Sequence, residues 1–152
     1  MAFVLQAEAA AKAEGFIGGW SEGEHLAALR DESVAYRLIV ADGKRSVGYA
    51  IVRGVGSEHG SLELKRLVVS ETGQGYGRRA LRLVKRLAFA ELGAHRLWLD
   101  VFTHNARARR LHESEGFVPE GILRECVRRS GGYASLVVMS LLESEYRTRE
   151  AL

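Results

Sequence analysis

A mixed α/β fold built around one central βαβ unit is what this 152-residue sequence predicts, and three observations lead there. Leu62 to Gly77 (LELKRLVVSETGQGYG) reads as an apolar strand entering a glycine loop, and the loop enters a helical stretch, RRALRLVKRLAFAEL. Downstream, Arg96 to Phe102 (RLWLDVF) reads as a second strand, parallel to the first because a helix lies between them. Upstream, two strand-like segments flank Asp42-Gly43, a common short hairpin signal, so the sheet should open antiparallel.

Ala7 to Glu14 favours helix by composition, and Ser21 followed by Glu24 resembles a capping box that opens a second short helix through Arg30. Val34 to Val40 and Ser46 to Val52 form the hairpin strands. A loop rich in Gly and Ser, Gly54 to Ser61, leads to the central strand, and the helix after the glycine loop should run from about Gly77 to Leu92. Its apolar stripe is Leu81, Val84, Ala88 and Leu92, and Gly93 is placed to end it. On the Arg96 to Phe102 strand, alternation puts Leu97, Leu99 and Val101 on one face and Trp98, Asp100 and Phe102 on the other. Asn105 to Glu115 reads as a helix stopped by Gly116. Phe117 to Arg128 and Ala134 to Leu142 read as a final strand pair around Ser130-Gly131-Gly132, followed by a charged tail.

The length suits one domain over residues 1–152 with a single core. Hydrophobic residues make up 47% and charged residues 27%, ordinary for a globular protein, and the lone Cys126 cannot form an internal disulfide. The first residues, MAFVLQAEAAAKAEG, hold Glu8 and Glu14 and no long apolar run, so neither a signal peptide nor a membrane span is expected and the cytoplasm is the expected location. A net charge of +3 permits a polyanionic ligand, but no nucleic-acid motif accompanies it. With one cysteine, and five histidines (His25, His59, His95, His104, His112) that form no close i, i+4 pair, no metal site is expected.

The glycine loop carries the chemistry. Gly73, Gly75 and Gly77 let the backbone turn just where a helix begins, and a helix N-terminus offers unpaired N–H groups and partial positive charge to an anion. Arg78, Arg79 and Arg82 crowd that positive end, where a bound polyanion would relieve them. Two readings compete. Gly75-Tyr-Gly77-Arg-Arg-Ala80 satisfies the dinucleotide-binding spacing G-x-G-x-x-A, with Asp100 at the end of a later strand. That fingerprint normally opens a run of parallel βαβ units, whereas here a hairpin precedes it and one crossover follows. A P-loop fails because Arg-Arg follows Gly77 where Lys-Ser or Lys-Thr is required.

The other reading adds what lies downstream. Gln74-Gly75-Tyr76-Gly77-Arg78, then Asp100, then Asn105-x-x-Ala108-x-x-Leu111-His112-x-x-x-Gly116-Phe117 resembles the GNAT superfamily of N-acetyltransferases at both its main motifs, from about Val34 to Tyr146. Glu120-Gly121, Arg124-Glu125 and Met139-Ser140-Leu141-Leu142 resemble the branch that contains ribosomal-protein N-terminal acetyltransferases. The resemblance implies acetyl-CoA as cofactor and acetyl donor. It also implies splayed parallel strands whose free edges bind a pantetheine arm at Leu67, Val68 and Val69. Amides from Gly73 through Gln74, Gly75, Tyr76 and Gly77 to Arg78 would hold the pyrophosphate, and Asn105 would fix the pantetheine. Arg78 and Arg82 would add charge pairing, with Lys85 and Arg86 on an exposed basic face.

Acetyl transfer to an amine needs a proton acceptor and a donor for the developing oxyanion. Asp100 is the candidate base, Glu63 the alternative, and a backbone N–H near Val68 or Val69 the oxyanion donor. The sequence departs from the family pattern at Thr72, in a loop about two residues shorter than usual, and at His112, which stands where a tyrosine commonly protonates the leaving thiolate. His112 is the candidate replacement acid. Expected partners are an amine acceptor, either a protein N-terminus or a small molecule, whose pocket is shaped by the first helices from about Gly15 to Arg30; Trp20 and Tyr133 either line that pocket or pack in the core or at a dimer contact, and the chain should be a monomer or homodimer. A non-catalytic acyl-CoA-binding module is the alternative from another class.

Overall fold

The computed structural model describes all residues 1–152. The elements run α1 (Ala2–Ala13), α2 (Glu22–Arg30), β1 (Val34–Ala41), β2 (Arg45–Arg53), β3 (Ser61–Val69), α3 (Tyr76–Arg86), β4 (Arg96–Phe102), α4 (Ala106–Ser114), β5 (Val118–Arg129), β6 (Gly132–Leu142) and α5 (Glu143–Glu150). A wider, π-helical turn, Leu87–Glu91, continues α3. Six strands form one sheet in the order β1-β2-β3-β4-β6-β5. Only β3 and β4 are parallel, and the expected mixed α/β architecture holds.

Most boundaries follow from local chemistry. Ser21 caps α2 by accepting from the Glu24 N–H at 3.3 Å, while the Glu24 carboxylate accepts from the Ser21 N–H at 2.7 Å, the reciprocal capping box. Ala41 pairs with Arg45, leaving a three-residue hairpin loop in which Asp42 and Gly43 both take positive φ and the Lys44 N–H donates to the Ala41 carbonyl at 3.2 Å. Of the predicted α3 stripe, Leu81 and Ala88 are fully enclosed, Val84 is nearly so, and Leu92, just past the π-helical turn, is partly buried.

Two segments differ from expectation. α1 begins at Ala2 rather than Ala7, because Val4 and Ala7 bury one helical face against Tyr49, Ile51 and Val68. The charged tail is helix α5. Its acids Glu143 and Glu145 occupy the first turn and Arg147 and Arg149 the last, matching the helix dipole, and Tyr146 stacks on Phe89 at 4.8 Å.

The two faces of the sheet are covered unequally. α3 and α5 contribute to the larger core with Leu62, Leu64, Leu97, Leu99, Met139 and Leu141, while α1 covers Tyr49, Ile51 and Val68 on the opposite face. β2 runs antiparallel beside β3 and approaches it closely, since a Cβ on Gly48 would sit 2.3 Å from the Val68 carbonyl oxygen. No helix is long and apolar enough to cross a membrane.

β3 and β4 pair only over Ser61–Glu63 against Arg96–Trp98, then separate. On β3 the register slips by one residue, with Ile51 opposite Arg66 and Val52 opposite Leu64, so Lys65 is an extra residue. A bulge bends its strand and increases local twist. It lies where β3 leaves β4, and the remainder of β3 keeps β2 as a partner but loses the other.

A candidate cleft between the splayed strands

Between the separated strands lies a cleft of roughly 730 Å³. Leu64 to Val69 of β3 and Leu99 to Val101 of β4 form its depth, the glycine loop and the first turn of α3 form one rim, and α4 forms another. Ala11, Glu14, Phe16 and Ile17 close the end near α1. Of the residues singled out in the sequence, Leu67, Val68, Val69, Gly73, Gly75, Tyr76, Gly77, Arg78, Asp100, Asn105 and His112 line this one space. Gln74, Glu63, Trp20 and Tyr133 do not.

The loop is built to present amides. Gly75 takes φ +75° as the N-cap of α3, a conformation L side chains disfavour, and it supplies no capping side chain. From the first turn, the Arg79 N–H reaches the Gly75 carbonyl at 3.2 Å, while the N–H groups from Gly73 to Arg78 find no protein acceptor. An anion at this rim would meet several donors and the positive end of the helix dipole.

The basic face of α3 is organised by one buried acid that sequence reasoning missed. Glu115, 2% exposed, receives Arg82 Nε at 2.5 Å, with Arg78 at 3.5 Å and Lys85 at 4.0 Å from its carboxylate. Burial pushes its carboxyl up, yet the Arg82 bond and the charges of Lys85, Arg82 and Arg78 outweigh this and hold it below the usual range. Lys85 is therefore not on an exposed face: it is buried, and its ammonium donates to the Glu115 carbonyl at 3.0 Å. Arg82 lies outside the cleft and pairs with Glu115. Arg78 remains at the rim, bonded to Ser114 Oγ at 2.9 Å.

Asn105 is the N-cap of α4. Its Oδ1 accepts from the Ala108 N–H at 3.2 Å, which leaves the side-chain NH2 free to donate. Arg107 and Arg110, three apart on the same helix, also line the cleft, and neither forms an ion pair or hydrogen bond with the protein. Their spacing after Asn105 was the signal available in the sequence.

Asp100 stands at the centre with no hydrogen bond or ion pair from the protein. Burial pushes its carboxyl above the usual range, Lys65 opposes this, and Glu63 reinforces it. Glu63 is differently placed: its Oε2 accepts from Arg53 at 3.0 and 2.6 Å, Lys65 lies 3.8 Å from its Oε1, and it does not line the cleft. His112 is 8% exposed and packs edge-on against Phe117, and its Nδ1 has no partner. Burial pulls its pKa down to about 4, so near neutral pH it is an uncharged imidazole. The acid role read for His112 in the sequence needs the imidazolium, and burial disfavours that form.

The two aromatic residues weighed as pocket walls lie away from the cleft. Trp20 packs on His25 with the Arg66 guanidinium 5.1 Å from its ring, and Tyr133 is exposed beneath Arg128 at 5.3 Å. Phe16, exposed and within the Gly15 to Arg30 segment expected to shape the pocket, stands at the cleft wall.

Known proteins resemble this chain in sequence and in fold. Residues 5–117 match the model of the acetyltransferase (GNAT) family. A spermidine N(1)-acetyltransferase of Vibrio cholerae is 30% identical over 115 residues, covering 74% of this chain and 66% of that protein. The uncharacterized N-acetyltransferase YokL of Bacillus subtilis, derived from the SPbeta prophage, is 30% identical over 74 residues, covering 49% of this chain and 42% of that one. The chain thus spans just under two thirds, or less, of the length of these curated relatives. The solved structure of the Vibrio cholerae spermidine N-acetyltransferase in complex with CoA and spermine aligns with a TM-score of 0.76 at 25% identity, covering 83% of this chain and 75% of that one.

Proposed function

Since the chain belongs to the acetyltransferase (GNAT) family, we propose that it is an acetyl-CoA-dependent N-acetyltransferase acting on a small-molecule primary amine. The observation that carries this reading is the parting of β3 and β4 after Glu63 and Trp98, which places free backbone edges, an amide-rich loop and a lone carboxylate in one cleft.

Acetyl-CoA, when bound, supplies an acetyl group activated as a thioester. The free amides from Gly73 to Arg78 suit its pyrophosphate, the open edge of Leu67, Val68 and Val69 suits the amide-bearing pantetheine, and the Asn105 NH2 suits a pantetheine carbonyl. Arg107 and Arg110 add positive charge on the α4 rim. A backbone N–H at Val68 or Val69 is the donor available to charge developing on the carbonyl oxygen.

The attacking amine must shed a proton, and Asp100 is the group to receive it, directly or through water. Its environment raises its basicity while leaving its oxygens unengaged. Glu63 is the weaker choice because Arg53 already occupies it. With His112 uncharged, the departing thiolate takes its proton from solvent or from the proton Asp100 has accepted.

For the acceptor, the Vibrio cholerae relative is named for spermidine and its solved structure holds CoA and spermine, which favours a small amine over the ribosomal-protein branch that some sequence details resemble. Glu14 and Asp100 supply negative charge toward a cationic acceptor. The dinucleotide reading loses ground because the sheet contains a single parallel pair, with no second βαβ unit.

The test is free-thiol release from acetyl-CoA across spermidine, spermine, simple monoamines, amino acids and short peptides beginning with Ala or Ser. Turnover with a small amine above background hydrolysis is expected. Turnover confined to the peptides would transfer the assignment to protein N-termini, and tight acetyl-CoA binding without turnover on any acceptor would support the non-catalytic module.

A further inference from the structure

Behind the free part of β3 lies a buried polar cluster that the proposed chemistry does not use. Glu8 of α1, 2% exposed, accepts on one oxygen from both the Trp20 N–H at 2.7 Å and Arg66 Nε at 3.2 Å. Its other oxygen has no hydrogen bond and lies 3.6 Å from His25 Nε2. His25 is fully enclosed, its Nδ1 is 2.7 Å from the Tyr36 hydroxyl, and Trp20, Tyr36 and Tyr49 surround its ring. If the Tyr36 hydroxyl donates to Nδ1, the proton of the neutral ring sits on Nε2 and faces Glu8. Burial lowers the His25 pKa, so the cation paired with Glu8 in this cluster is the Arg66 guanidinium.

This cluster joins two parts of the cleft that no strand pairing joins. Arg66 follows the Lys65 bulge and lines the cleft from β3. Trp20 ends the loop whose Phe16 and Ile17 line the α1 wall, and Gly15 and Gly19 within that loop both take positive φ. A segment so rich in glycine has little conformational preference of its own and depends on its fixed points.

We infer that Glu8 is a positioning residue: by holding the Arg66 guanidinium and the Trp20 amide on one oxygen, it fixes the Gly15 to Trp20 loop against the unpaired part of β3 and so shapes the wall that meets the acceptor amine. The kinetic side of this rests on the acetyl-transfer reading, while the clamp itself does not. Glu8→Gln keeps the side-chain volume but leaves the Arg66 cation buried without its counter-ion.

The experiment compares the full-length wild type, Glu8→Gln and Arg66→Lys by amide hydrogen exchange and by steady-state kinetics with the best amine. Exchange across residues 14–21 should accelerate by about tenfold, the scale of losing one charge-assisted hydrogen bond, with α3 and β6 unchanged. KM for the acceptor should rise by a similar factor, about tenfold, while KM for acetyl-CoA stays within about twofold. Ala7→Gly on the same helix serves as the purely structural control, lowering stability without separating the two KM values.

Unchanged exchange across residues 14–21 in a folded Glu8→Gln variant would overturn the clamp, as would equal changes in both KM values. If Glu8→Gln does not fold, Arg66→Lys decides the matter by the same readouts. If the wild type transfers no acetyl group, the acetyltransferase reading fails and the exchange data alone judge Glu8.

Discussion

Replacing Asp100 with asparagine is expected to lower turnover by about 10²- to 10⁴-fold, the usual contribution of a positioned general base, while leaving acetyl-CoA affinity nearly unchanged. Asparagine keeps the shape and one acceptor oxygen but cannot take the proton the amine must lose. The wild-type pH profile should carry the same message. Because burial raises the Asp100 pKa, activity should climb with pH through a midpoint above the ordinary carboxylate value, and deprotonation of the amine should add to the climb at higher pH. His112, with a pKa near 4, should impose no descending limb between about pH 6 and 9.

Stability should move differently from activity in this variant. A carboxyl with a raised folded-state pKa binds more protons folded than unfolded between the two pKa values, so its contribution to stability falls as pH rises through that window. Asparagine removes that loss. At neutral pH Asp100→Asn should be at least as stable as the wild type, and rate measurements with thermal melts will separate lost chemistry from lost fold. A variant that keeps its rate would remove Asp100 from the base role.

The second large effect is expected at Gly75. Gly75→Val should weaken acetyl-CoA binding by at least about tenfold, the scale of losing a charge-assisted hydrogen bond or more at the phosphate. A Cβ there meets no protein atom within 4 Å, so the fold should survive, but the side chain would stand at the rim where the free amides gather. Strain contributes too, because φ is +75° and a β-branched residue is poorly suited to it. Gly75→Asn separates the causes, since asparagine tolerates positive φ while still filling the space. Calorimetry with acetyl-CoA on both variants gives the answer: weak binding in both identifies occlusion, and recovery in Gly75→Asn identifies strain.

The parts of the molecule legible in the sequence are those set by near neighbours. Ser21 and Glu24 announce a capping box, Asp42-Gly43 announces a hairpin, and the α3 stripe announces the core face, because each signal lies within a turn or two of what it controls. The cleft residues were legible for a related reason: the glycine loop and the Asn105 helix each carry their own local pattern. What stayed hidden depends on partners far along the chain. Glu8 meets Arg66 across 58 positions and Lys85 meets Glu115 across 30, and nothing near either residue marks it as buried. His112 was legible as a departure from the family pattern, but its charge state follows from burial against Phe117, which only the folded chain reveals. The tail failed for a subtler reason, since Glu143 to Glu150 is polar throughout and its single buried contact, Tyr146 on Phe89, leaves no periodic stripe.

The central claim is that the cleft between β3 and β4 receives acetyl-CoA, and calorimetric titration of the wild-type protein with acetyl-CoA, NAD and ATP in parallel tests it most directly. Saturable binding of acetyl-CoA at one site per chain, with no comparable heat from NAD or ATP, is the predicted result. Saturable binding of NAD with no response to acetyl-CoA would contradict the account and return the glycine loop to the dinucleotide reading.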